Sequence, residues 1–238
     1  MRFVLKSHLY LPLHRMTLLE AIAERHSVRT YHDRPLADDV RKALQTTIEQ
    51  AAEQGALNIQ LIENDATAFT GFMAHYGRFR GVRDYIALAG AKSPDLNERI
   101  GYYGEQIVLE AQRLGLNTCW VVLTYTKHPE RLNLQSDESL RCVIAIGYGT
   151  EPGHAHRIKS YDQVATPARD EAPDWFVRGV EAALLAPTAV NQQRFRLSLQ
   201  PDGRVRAQAR LGFYSSIDLG IVKYHFEVGA APHQVVWL

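Results

Sequence analysis

Cysteine is scarce in this chain: Cys119 and Cys142 are the only two in 238 residues. Both fall in apolar runs that read as strands, with no metal-ligand spacing. A disulfide scaffold and a zinc ribbon are therefore excluded, and buried free thiols are expected. This usage fits a reducing compartment, and a cytoplasmic location is expected. Charge of one sign is also lacking: 27 Lys and Arg face 26 Asp and Glu, a net charge of +1. That balance argues against a nucleic-acid partner. No apolar stretch is long enough to span a membrane. The ten histidines are scattered, none set against an acid or a cysteine at helical spacing, so no metal site is expected. Low-complexity tracts are absent. So is a Gly-x-Gly-x-x-Gly fingerprint after a strand, which argues against a Rossmann cofactor domain.

What is present is the composition of an ordinary globular protein, 46% hydrophobic and 22% charged, long enough to bury a substantial core as one large domain or two interlocked halves. In residues 1–15, Pro12 and His14 interrupt the apolar Leu9, Leu11 and Leu13. This segment reads as an N-terminal extension rather than a signal peptide. Thr17 and Glu20 form a capping-box pair at the start of a helix carrying Leu18, Leu19 and Ile22. A second helix follows Ala37-Asp38-Asp39, with Val40, Ala43, Leu44, Thr47, Ile48 and Ala51 at helical spacing. Strands are expected at 59–62, 85–89, 119–124 and 141–147, and the strongest helix at 97–114, with Gly115 as its C-cap. Gly101 and Gly104 weaken that helix unless something packs closely on them. Residues 73–80 resist typing, and 129–132 form a turn or short helix. The Pro-punctuated stretch 151–173 reads as a long surface connection. Helices at 175–185 and 217–228, a hairpin around Pro201-Asp202-Gly203, and a terminal strand at 234–238 complete the chain. The second part repeats the order of the first in shortened form, helix, strands, helix.

Two motifs carry chemistry. Arg25-His26-Ser27-Val28-Arg29 packs two or three cations and a hydroxyl into five residues, a donor set suited to a doubly charged phosphate. A solvated helix end with surface ion pairs explains the same cations. Far away lies Ala186-Pro187-Thr188-Ala189-Val190-Asn191-Gln192-Gln193, which also reads as a helix end followed by a Pro- and Asn-shaped turn. The first motif, with Tyr31 and Pro35 after it, resembles the N-terminal signature of the FMN-dependent nitroreductase family. Glu110-Ala111-x-x-Leu114-Gly115-Leu116-x-Thr118-Cys119-Trp120 resembles the family's central helix and following strand. Ile146-Gly147-Tyr148-Gly149 with Arg157-x-Lys159 resembles the segment that closes its phosphate site. Ordinary members carry the Ala-Pro-Ser-x-x-Asn-x-Gln motif soon after the first signature. Here that place holds Ala51 to Ala56, and the motif stands instead at 186–195, with Arg194 and Phe195 replacing its usual Pro and Trp.

The resemblance implies an α+β nitroreductase-like fold: a central, mostly antiparallel sheet flanked by helices, in two pseudo-repeated halves within one chain. Residues 16–160 would be the half on the FMN phosphate side, and 161–238 a shorter half supplying the contacts of a dimer partner. One flavin site per chain follows, in a monomeric pseudo-dimer or a homodimer. The implied FMN contacts are Arg25, His26, Ser27 and Arg29, with Arg157 or Lys159, at the phosphate. Pro187, Thr188, Asn191 and Gln193 would meet the isoalloxazine, and Trp120, Val121 and Val122 would line its other side. Plain strand core explains that last trio equally well. The implied activity is ping-pong hydride transfer from NADH or NADPH to a nitroaromatic, quinone or similar acceptor, with no protein general acid or nucleophile. A different flavin reaction, such as dehalogenation or flavin fragmentation, and flavin binding without turnover are the alternatives.

Overall fold

The computed structural model describes residues 16–71 and 76–238; the N-terminal extension and part of 73–80 lie outside them. Helix α1 (Leu18–Glu24) begins with the expected reciprocal cap, Glu20 N–H donating to Thr17 Oγ1 and Thr17 N–H to Glu20 Oε2. Helix α2 (Asp38–Gly55) buries Leu44, Ile48 and Ala51. Strands β1 (Asn58–Ile62), β2 (Asp84–Ala91), β3 (Asn117–Val121) and β4 (Glu138–Gly147) form one sheet in the order β1-β2-β4-β3, every neighbouring pair antiparallel. Ile144 is central, opposite Ile86 on one side and Trp120 on the other. β3 ends at Val121, short of the expected Thr124, and 122–125 turns away as a loop. Leaving the sheet at that point sets Val122 beside the cleft described below.

Helix α3 (Leu96–Arg113) packs on one face of the sheet. Helix α4 (Tyr161–Val164) and the two-residue strand β5 (Ala165–Thr166) interrupt the stretch read as a surface connection. Its polar, Pro-punctuated composition hid two anchors, Tyr161 and Val164, which are buried. Helix α5 (Asp174–Leu184) leads to the hairpin β6 (Phe195–Leu199) and β7 (Val205–Ala209), with β5 parallel to β6. Helix α6 (Ser215–Ala230) follows. The expected terminal strand is a single bridge, Val205 to Trp237. Helix, strand, strand, helix thus recurs, as α2–β1–β2–α3 and α5–β6–β7–α6.

Residues before and after position 160 share one core. Leu44 and Ile48 of α2, Ile100 and Ile107 of α3, Ile86 and Ile144 of the sheet, and Phe176, Phe195 and Phe226 of the second half form a continuous apolar cluster, each side chain worth about 1.5–3 kcal/mol of burial. α3 and α6 cross almost backbone to backbone. A Cβ on Gly101 would stand 2.0 Å from the Ile217 carbonyl oxygen, and one on Gly220 would stand 2.0 Å from that of Glu98. The helix-weakening glycine is therefore the condition of the close crossing of α3 and α6. Among the described residues no helix is long and apolar enough to cross a membrane.

Candidate functional site

The first motif begins where α1 stops. Arg25 is the C-cap of α1 in extended conformation, and the chain then runs beside β3: Ser27 bridges Thr118, and Val28 N–H donates to the Thr118 carbonyl at 3.1 Å. Val28 and Tyr31 point into the apolar cluster on the sheet's second face. That anchoring leaves Ser27 and Arg29 on a cleft. Arg25 is only 3% exposed, and among the described residues its guanidinium makes no hydrogen bond. Burial pulls its pKa down, offset in part by Glu105, yet an arginine at this position stays charged. His26 is pulled below its ordinary value by burial and by Arg25, so it is neutral at pH 7 and the motif carries two cations.

The second motif is a strained turn. Val190, Asn191 and Gln193 all have positive φ, at 45°, 54° and 46°, a region that non-glycine residues rarely adopt and that is costliest for a β-branched valine. Such strain persists only where the surroundings over-determine it, and here they do. Asp218 on α6 accepts from Ala189 N–H at 3.0 Å and from Gln192 Nε2 at 2.8 Å. Gln193, buried, accepts from Lys159 N–H at 2.9 Å and donates to the Arg157 carbonyl and to Asn191 Oδ1, both at 2.8 Å. Asn191 Nδ2 donates to that same Arg157 carbonyl at 2.9 Å. Lys159 Nζ donates to the Gln192 and Gln193 carbonyls at 3.0 and 2.7 Å. Burial pushes the Asp218 carboxyl up to about 6.

These two motifs meet. Arg25, His26, Ser27 and Arg29 line one cleft of about 310 Å³ with Pro187, Thr188 and Asn191. Next to it, and sharing Ser27, Arg29, Pro187 and Thr188, is a smaller cavity of about 120 Å³ lined also by Trp120, Val122, Ile217, Ile221 and Asp218. Val121 lies instead in the core. Arg157 contributes its carbonyl while its side chain is exposed, and Lys159 and Gln193 brace the turn from behind, outside the cleft lining.

Behind the cleft sits a cluster that pattern reading did not single out. Glu105 on α3 is fully buried. It accepts from Trp120 Nε1 at 2.8 Å, faces His225 Nε2 at 2.9 Å and pairs with Arg25 Nε at 3.8 Å. His225 Nδ1 lies 3.1 Å from the Ala182 carbonyl, which can only accept, so Nδ1 carries a proton. One carboxylate therefore ties α1's end, β3 and α6 together. The room for the Trp120 ring comes from Gly104, where a Cβ would stand 2.4 Å from it. A sequence signal existed: Glu105 falls on the apolar stripe of α3, beside Gly101, Gly104 and Val108, and His225 interrupts an otherwise apolar face of α6.

Two solved structures described as a "putative nitroreductase" are similar to the chain. One, from Thermotoga maritima, has a TM-score of 0.67 at 23% identity and covers 94% of this chain and 88% of its own. The other, a complex with FMN from Desulfovibrio desulfuricans, has a TM-score of 0.48 at 17% identity, over 62% of this chain and 94% of its own. No curated protein sequence matches. The family model described as "Putative TM nitroreductase" matches residues 17–230, and so the chain belongs to the nitroreductase family.

Proposed function

We propose that this chain is an FMN-dependent oxidoreductase that draws reducing equivalents from NADH or NADPH and delivers them to a nitroaromatic, quinone or similar small acceptor. One observation carries the reading: Arg25, Ser27 and Arg29 share a cleft with Pro187, Thr188 and Asn191 from the far end of the chain. The fit with a phosphate rests on Arg25, a buried arginine in the cleft lining whose Nε stands 3.8 Å from Glu105 and has no hydrogen-bond partner among the described residues. Buried donors of this kind are nearly always satisfied, and phosphate oxygens match the guanidinium fork.

When bound, FMN supplies the redox chemistry, accepting and returning a hydride equivalent. The protein's own residues bind and shape. Arg25, Ser27 and Arg29 hold the phosphate. Trp120, Val122, Ile217 and Ile221 form an apolar wall that keeps water from the ring. Pro187 and Thr188 line both cavities and would contact the ring. Asn191 and Gln193 act on the ring through the turn they brace, because their amides are engaged with Arg157 and Lys159. No side chain is assigned as general acid or nucleophile. With both motifs in one chain, each chain carries one complete site, as a monomeric pseudo-dimer or a homodimer, and the two buried thiols suit the reducing cytoplasm.

Purified protein is expected to be yellow. NADH or NADPH should bleach the band anaerobically, and an acceptor should restore it, with parallel-line (ping-pong) kinetics. Colour without bleaching would favour a passive flavin binder. Arg25→Gln combined with Arg29→Gln should abolish FMN retention. Undiminished flavin content in that double variant overturns the phosphate assignment.

A further inference from the structure

Beyond the flavin cleft lies a wider groove of about 900 Å³ that shares Ser27, Arg29 and His154 with it. Its far wall carries Arg78 and Arg80. Backbone pairing fixes that wall: Arg80 N–H donates to the Arg29 carbonyl at 2.9 Å, and Thr30 bridges Arg80. Arg29, Arg78 and Arg80 make no side-chain hydrogen bond or ion pair among the described residues, although the chain forms many elsewhere. The acid on the groove is Glu151. Three unneutralised guanidinium groups against one carboxylate leave a positive groove, and a concave wall focuses that field. Tyr76, 80% exposed, lies on the same groove and offers a flat face for a base.

We propose that this groove binds the adenosine-phosphate part of a dinucleotide: phosphate on Arg78 and Arg80, purine against Tyr76. The inference rests on the flavin reading only in placing a first phosphate at Ser27 and Arg29. Two sources share this chemistry, the adenylate end of the bound flavin itself, were it FAD, and the adenosine end of the nicotinamide donor. Guanidinium forks suit both the pyrophosphate and a ribose phosphate.

The test is calorimetric titration of the purified full-length protein with ADP and with 2′,5′-ADP, for wild type and for Arg78→Gln/Arg80→Gln. Both arginines are exposed, and an unchanged melting temperature will confirm that the variant folds. The expected result is salt-sensitive binding, weakened about tenfold or more in the variant. Chromatography of the flavin released on heating separates the sources. Released FAD, with retention lowered in the variant, assigns the groove to the flavin's adenylate. Released FMN, with the variant's KM for NADPH or NADH raised about tenfold and its FMN content intact, assigns it to the donor. Absence of binding of either adenosine phosphate to wild type at about 10 mM, or equal binding to wild type and variant, overturns the proposal. A colourless preparation would instead defeat the flavin reading, and the titration would still decide the groove.

Discussion

Replacing Glu105 by glutamine removes one charge from the centre of the molecule and leaves its shape almost intact. Trp120 Nε1 and His225 Nε2 lie 2.8 and 2.9 Å from the two carboxylate oxygens. A glutamine can satisfy both, its oxygen accepting from Trp120 and its amide donating to His225, provided the imidazole keeps its proton on Nδ1 toward Ala182. What it cannot replace is the counter-charge for Arg25, 3.8 Å away with the guanidinium 3% and the carboxylate 0% exposed. Stripping one partner from a buried pair costs about 3–5 kcal/mol. For a chain of this length each kcal/mol moves the midpoint by about 2–4 °C, so Glu105→Gln should melt about 6–20 °C below wild type. Glu105→Leu should fall further, since the Trp120 indole N–H also loses its acceptor, at about 1–3 kcal/mol. The assay is thermal unfolding of flavin-free protein, which avoids ligand linkage. Arg25→Gln in the Glu105→Gln background removes the orphaned cation and should recover part of the loss. A Glu105→Gln midpoint within about 2 °C of wild type, or a double variant no more stable than the single one, refutes the view that this carboxylate balances Arg25.

Gly101→Ala should destabilise the protein by about 1–3 kcal/mol or more, because its Cβ would meet the Ile217 carbonyl oxygen at 2.0 Å; denaturant unfolding with an unchanged midpoint would deny the close crossing of α3 and α6. Asp218, raised to about 6 by burial, holds more protons folded than unfolded between the ordinary carboxyl value near 3.8 and that figure. Its contribution to stability is therefore full below the lower value and lost as pH rises through the upper one. Relative to Asp218→Asn, wild type should gain about 2–3 kcal/mol between pH 7 and pH 4, and a flat difference across that window in urea titrations would count against it.

The elements were legible where local chemistry decides them. Thr17 and Glu20 announce a cap that forms as written, and the apolar stripes of α2, α3 and α5 and the hairpin turn at 201–203 all appear within a residue or two. The terminal segment and the stretch before α5 depend on contacts remote along the chain: Trp237 bridges Val205, and Tyr161 is buried in the cluster that holds Phe176 and Phe195. Arg25, Ser27, Arg29, Pro187 and Thr188, which the two motifs single out by residue type, line one cleft. Lys159 and Arg157 read as phosphate cations, but one spends its ammonium on two carbonyls and the other offers its carbonyl.

Periodicity, capping and motif order are properties of neighbours along the chain, and they sufficed for the helices, the strands and the family. Which charges share a buried site is set by contacts between residues 120 positions apart, as Glu105 and His225 are. Only packing could decide that Arg25 would be sealed against a carboxylate, that three left-handed residues would be locked into one turn, and that two distant motifs would face each other across a single cleft. Burial raises the cost of any unmatched charge, and burial exists only once the chain has folded.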